Sequence, residues 1–94
     1  MTPNETMSKQ VQDLLALYQR TDLKSDEARK KLAEAIDAST LPAYTKEVAR
    51  LAMLSKSDTE VVLGIQLMRR QEELRHADAL LKIETAFLGA RIRR

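Results

Sequence analysis

The chain has 94 residues, 44% hydrophobic and 32% charged, a balance that indicates one small globular domain, residues 1–94, and excludes a disordered chain. It contains no cysteine, which excludes disulfides, thiolate metal sites and cysteine nucleophiles. The formal net charge of +2 is too small for charge alone to indicate a nucleic-acid partner.

The N-terminal segment has the pattern of an amphipathic helix. Residues 2–5 have the T-x-x-E form of a capping box, and Pro3 stands at the first helical position, where proline is favoured. Apolar residues follow at helical spacing: Met7, Val11, Leu14, Leu15 and Tyr18. This pattern predicts a first helix that ends near Arg20.

Two short helices are predicted next. Ser25 is a suitable N-cap for the second helix. The buried positions of that helix would be Ala28, Leu32, Ala35 and Ile36. Thr40 is a candidate N-cap for the third helix, with Pro42 in its first turn. The apolar positions of the third helix are Leu41, Tyr44, Val48, Leu51 and Ala52.

The last third of the chain has the pattern of one long helix, from about residue 58 to about residue 92. Residues 57–60 have the S-x-x-E form of a capping box, and no proline follows. Leucine recurs at every seventh position: Leu67, Leu74, Leu81 and Leu88. Such a helix would be roughly 50 Å long. Because no strand pattern occurs, we expect an all-α fold, a small bundle or extended hairpin of three short helices and one long C-terminal helix.

The leucine repeat has two interpretations. If the leucines are d positions of a parallel coiled coil, the a positions are Gly64, Gln71, Asp78 and Thr85. None of these is the β-branched apolar residue that a two-stranded coil prefers. We therefore favour packing of the leucine stripe on the protein's own first three helices.

A second apolar face of the long helix is the predicted partner-binding site. The three short helices would span only roughly 25, 18 and 21 Å and would leave part of the long helix uncovered. Uncovered apolar patches mark interaction sites. The residues of this site are Leu80, Ile83, Phe87 and Leu88, with Arg91 in the basic end that would orient an acidic partner.

These features predict a non-enzymatic protein–protein interaction module: an adaptor, a small chaperone or an assembly subunit that binds another protein or a second copy. No enzyme or cofactor is expected, because the sole histidine, His76, lies in a charged stretch and no glycine-rich phosphate loop occurs. No apolar run reaches the roughly 18 residues of a transmembrane helix, and no signal-peptide pattern is present. We therefore expect a cytoplasmic protein without membrane insertion.

The first alternative is a dimeric DNA-binding regulator of the helix-turn-helix type. The second and third helices would present a set of basic and aromatic side chains to DNA: Lys30, Lys31, Tyr44, Lys46 and Arg50. The connecting segment, residues 37–42, is longer than the usual turn and lacks glycine. Acidic residues also lie near these cations, so we favour an ordinary solvated face.

The second alternative is a metal site. Glu73 and His76 have the E-x-x-H spacing, which places a carboxylate and an imidazole on one helix face. Residues 72–81 resemble the metal helix of ferritin-like di-iron proteins, and the resemblance implies a metal-binding dimer in which each chain supplies one motif. The other interpretation, which we favour, is a solvated stretch in which Glu72 and His76 form an i,i+4 pair.

Overall fold

Five α-helices account for most of the residues that the computed structural model describes, 3–71 and 77–94, with side chains described for residues 9–71 and 79–94. Within these ranges no strand occurs, so the all-α class is confirmed. The helices are α1 (Pro3–Arg20), α2 (Asp26–Ala38), α3 (Ala43–Leu54), α4 (Asp58–Gln71) and α5 (Ala77–Arg93).

Local signals place most helix ends where the sequence predicts them. The Ser25 hydroxyl accepts a hydrogen bond from the Ala28 amide at 3.2 Å and caps α2. The Ser57 hydroxyl accepts from the Glu60 amide at 3.3 Å and starts α4 in the same way. The first helix ends at Arg20 as predicted.

The start of α3 differs from the prediction. Pro42 occupies the N-cap position, and no side chain caps the helix. The Pro42 carbonyl accepts a hydrogen bond from the Lys46 amide at 3.0 Å. The Thr40 hydroxyl, the predicted cap, instead accepts a 2.5 Å hydrogen bond from the Gln10 side chain of α1. A contact between α1 and the α2–α3 connection therefore replaces the local cap.

The prediction of one long helix over residues 58–92 is not confirmed. The structure has two helices, α4 and α5. Two contacts show that they run antiparallel, since the start of α4 lies beside the end of α5. Arg91 Nη2 lies 2.8 Å from Asp58 Oδ1, and Arg69 Nη2 lies 2.5 Å from Glu84 Oε1. In a continuous helix Asp58 and Arg91 would be roughly 50 Å apart, whereas the whole molecule extends only 38 Å along its longest axis.

The core surrounds α3, which packs against α2, α4 and α5. Small and medium residues of α3 are fully buried: Val48, Ala49 and Ala52. They meet buried side chains of the other helices: Leu14 and Tyr18 of α1, Leu32 and Ile36 of α2, and Phe87 and Ala90 of α5. Because α5 folds back beside α4, both helices bury an apolar face on α3. The described residues therefore do not form the single long helix whose uncovered part was expected to bind a partner.

Candidate functional site

An open groove lies where the α1–α2 connection, the end of α3, the start of α4 and the end of α5 meet. Its volume is about 980 Å³. Apolar residues from these elements line it: Leu23, Met53, Val61, Val62, Leu88 and Ile92. Five cationic side chains and two carboxylates also line it: Lys24, Arg29, Lys56, Arg91 and Arg94, with Asp22 and Asp58. The groove is therefore amphipathic and carries an excess of positive charge.

The large exposed apolar side chains lie on α4 and α5, the two helices that contribute most apolar residues to this groove. Among the described side chains they are Val62, Leu63, Leu67, Leu81 and Ile92. Two of them belong to the groove, Val62 at 54% exposure and Ile92 at 83%. Such a concentration on one helical hairpin is typical of an interaction surface.

Arg91 joins three helices inside the groove. Its Nη1 donates hydrogen bonds to the carbonyl oxygens of Ala52 at 3.1 Å and Ser55 at 2.7 Å, at the C-terminal end of α3. Its Nε donates to Asp58 Oδ1 at 2.9 Å, at the start of α4. A cation at a helix C-terminus opposes the negative end of the helix dipole. Arg91 therefore fixes the last turns of α5 against α3 and α4.

Two further arginines cap helix ends across the groove. Arg29 of α2 donates a hydrogen bond to the Leu54 carbonyl at the end of α3. Arg94 donates to the carbonyls of Tyr18 and Thr21 at the end of α1, and its guanidinium carbon lies 4.9 Å from the centroid of the Tyr18 ring. These contacts satisfy carbonyls that the helices leave without partners, and they also concentrate positive charge in the groove.

Lys24 and Lys56 complete the positive lining. Lys24 lies in the α1–α2 connection and Lys56 in the α3–α4 connection, and both side chains are exposed. An ammonium group on a flexible stem can meet a ligand carboxylate without losing a contact that holds the fold. The groove thus has an apolar floor, arginines that serve structure and charge together, and two exposed lysines.

The predicted partner-binding residues divide between groove and core. Leu88 and Arg91 line the groove. Leu80 and Ile83 are half-buried, and Ile83 packs against the core. Phe87, which we predicted on a surface, is 0% exposed and belongs to the core. The reason is the antiparallel return of α5, which turns this face towards α3.

Sequence reasoning missed the buried carboxylate of Glu84, which is 3% exposed. Its Oε1 accepts hydrogen bonds from Arg69 Nε at 2.8 Å and Nη2 at 2.5 Å, and its Oε2 accepts from the Tyr44 hydroxyl at 3.2 Å. The available signal was the position of Glu84 between Leu80 and Phe87, inside an apolar stripe. A buried acid in such a place requires partners from other helices.

Two of the residues proposed for DNA binding connect α2 with α3. Lys46 Nζ donates a hydrogen bond to the Asp37 carbonyl at 3.0 Å. Arg50 donates to the Asp37 carboxylate, and its Nη1 lies 2.6 Å from Glu47 Oε2. Each of these cations is therefore engaged by the protein's own acceptors.

The other residues of the DNA-binding alternative differ in exposure and in their contacts. Lys30 and Lys31 are exposed on α2, and Lys31 Nζ lies 3.9 Å from Glu27 Oε1. Tyr44 is half-buried and donates its hydroxyl hydrogen to Glu84. Of the five side chains, Tyr44, Lys46 and Arg50 are thus engaged in contacts within the protein, and Lys30 and Lys31 are exposed on α2.

Glu73 and His76, the residues of the metal alternative, lie outside the described residues. Within the described part of the chain, no group of three or more histidine, cysteine or acidic side chains is placed to hold a metal ion.

None of the described helices is both long enough and apolar enough to cross a membrane. Comparison with known protein families, curated proteins and solved structures finds no match to this chain.

Proposed function

We propose that this domain is a non-enzymatic interaction module that binds an acidic, amphipathic segment of a partner protein in the groove. The observation that carries the proposal is the combination of an apolar floor with five cationic side chains against two carboxylates. An amphipathic helix laid into such a groove buries its apolar face on the floor and presents acidic residues to the cations. The domain would then serve as an adaptor or as a subunit of an assembly.

The shape of the groove favours a protein segment over a small ligand. Small-molecule sites are concave and enclose most of the ligand. This groove is open to solvent, and Val62 and Ile92 at its edge are more than half exposed. These side chains and Leu88 supply apolar anchors on two helices. A chain segment can contact several such anchors at once, whereas a small molecule would leave some of them uncovered.

The charge of the groove can be tested with synthetic peptides. We expect an amphipathic helical peptide of leucine and glutamate to bind the full chain, and a matched peptide with lysine for glutamate to bind weakly. The double variant Lys24→Glu/Lys56→Glu should bind the acidic peptide about tenfold more weakly, since each exposed ion pair contributes about 0.2–1 kcal/mol and reversal replaces attraction by repulsion. Isothermal titration calorimetry measures both affinities.

Matched variants distinguish binding in the groove from a general effect of surface charge or of surface apolar residues. Lys30→Glu/Lys82→Glu changes two exposed lysines that do not line the groove, and it should retain the affinity. Ile92→Asp should weaken binding, whereas Leu81→Asp, an exposed residue of the same helix outside the groove, should not. Equal affinities of all four variants for the acidic peptide would refute the proposal.

A further inference from the structure

The outward face of α4 carries a second surface, which does not belong to the groove. Leu63 is 53% exposed and Leu67 57% exposed. Glu60 precedes them and Arg70 follows them, both exposed. At 3.6 residues per turn, the four side chains lie within an arc of about 80°. The buried residues of α4, Val61 and Ile65, lie on another side of the helix.

The spacing of this face is that of a short coiled-coil seam. Glu60, Leu63, Leu67 and Arg70 are separated by three, four and three residues, as alternating a and d positions are. We propose that α4 pairs with α4 of a second copy of this chain in antiparallel orientation. A two-fold axis on the outward face of α4, level with residue 65 along the helix, then places Leu63 against Leu67 of the second copy, and Glu60 against Arg70 of the second copy.

Charge complementarity selects the second copy and its orientation. Glu60 lies at one end of the seam and Arg70 at the other. The antiparallel pair therefore has two leucine layers between two ion pairs. A parallel pair would instead oppose Glu60 to Glu60 and Arg70 to Arg70, which is repulsive. The same patch on both subunits, complementary to itself, is what a two-fold interface requires. Because the patch is small, we expect a weak dimer, of the class whose interface buries less than about 1,200 Å².

Charge exchange tests this pairing with the full chain. In Glu60→Arg both ion pairs become Arg–Arg contacts, and in Arg70→Glu both become Glu–Glu contacts. Each variant alone should dimerise about tenfold more weakly than the parent chain, because two exposed pairs change from attraction to repulsion. An equimolar mixture should associate again, since one subunit then carries only arginines and the other only glutamates. Sedimentation equilibrium measures the association, and native mass spectrometry identifies the heterodimer.

Restoration in the mixture also shows that neither variant has simply lost its fold. Lys82→Glu, a reversal at an exposed residue outside the seam, should leave the dimer unchanged. A parent chain that stays monomeric up to millimolar concentration would overturn the proposal. So would a mixture that associates no better than its components. Peptide binding in the groove is measured separately, since none of the four seam residues lines it.

Discussion

A single buried carboxylate links three helices of this fold. Glu84 of α5 accepts hydrogen bonds from Arg69 of α4 and Tyr44 of α3. A buried charge is costly unless it is paired and hydrogen-bonded. The Glu84 side chain is 4% exposed but the Arg69 side chain is 53% exposed, so the network lies at the edge of the core. It fixes which residues of α4 and α5 stand opposite one another.

Because of the phenol of Tyr44, we expect the free energy of unfolding to fall as the pH rises in the alkaline range. Burial, and then the negative charge of Glu84, raise the pKa of Tyr44 above its ordinary value of 10.0. A pKa raised in the folded state gives a contribution that is complete below pH 10 and is lost as the pH rises through the folded-state pKa. We expect Tyr44→Phe to reduce the fall in the free energy of unfolding above pH 10. Urea denaturation at pH 9 and pH 11 measures this fall.

Glu84→Gln provides the control for that prediction. It removes the charge that raises the pKa of Tyr44 but leaves an oxygen that can accept the phenol hydrogen. The alkaline loss should therefore be smaller in this variant than in the parent chain, because the pKa of Tyr44 in the folded state then lies closer to its value in the unfolded chain. If Tyr44→Phe and the parent chain lose stability equally above pH 10, the phenol does not contribute as inferred.

At the scale of helices, signals within one helical turn predicted the structure well. Ser25 and Ser57 cap the helices that were assigned to them, and α1 ends at Arg20. Each of the two caps is a hydrogen bond between residues three apart, so the local sequence is enough to predict it. Thr40 is the exception, because its hydroxyl is engaged by Gln10, thirty residues away.

The division of the last third into α4 and α5 could not be predicted in the same way. No glycine or proline stands between Gly64 and Gly89 to mark a helix end. The antiparallel arrangement is fixed by pairs such as Asp58 with Arg91, which are distant in sequence. The groove has the same origin, since its arginines cap the ends of other helices. Periodicity located Leu88 and Arg91 but could not show that the neighbouring Phe87 is buried.

The contact between α3 and α4 depends on the small size of Gly64. A Cβ atom at this position would lie 2.8 Å from Leu51 Cδ1, closer than a normal contact. The atoms nearest to a Cβ at Gly89 would be those of the Arg93 guanidinium, a flexible side chain, at 3.3 Å. We expect Gly89→Ala to raise the free energy of unfolding by about 0.5–1 kcal/mol, the usual gain inside a helix. Gly64→Ala should gain less or lose stability, as measured by urea denaturation.

A second substitution isolates the contact with Leu51. In a Leu51→Ala background the side chain that obstructs the new methyl group is absent. Gly64→Ala should then show more of the gain seen at Gly89, and the double-mutant cycle gives the coupling between the two positions. Identical effects of Gly64→Ala in both backgrounds would contradict the proposed close approach.

At the scale of the molecule, one arginine near the end of α5 and one directly after it hold the ends of other helices together. Arg91 bonds to carbonyls at the end of α3 and to Asp58 of α4. Arg94 bonds to carbonyls at the end of α1 and lies over the ring of Tyr18. The first and last helices of the chain are therefore joined beside the groove, and the shape of the groove depends on these contacts.

Arg94→Gln tests whether this junction secures α1 to the rest of the domain. The substitution removes the guanidinium that bonds to Tyr18 and Thr21, and because Arg94 is exposed we expect a loss of about 1 kcal/mol in the free energy of unfolding. Arg93→Gln, a change of the same type at the neighbouring exposed residue, should cost less. Amide hydrogen exchange should show the loss of protection concentrated in α1, since freeing its end promotes local opening there. Equal exchange rates for α1 in the two variants would mean that its contacts with α2 and the core hold it without Arg94.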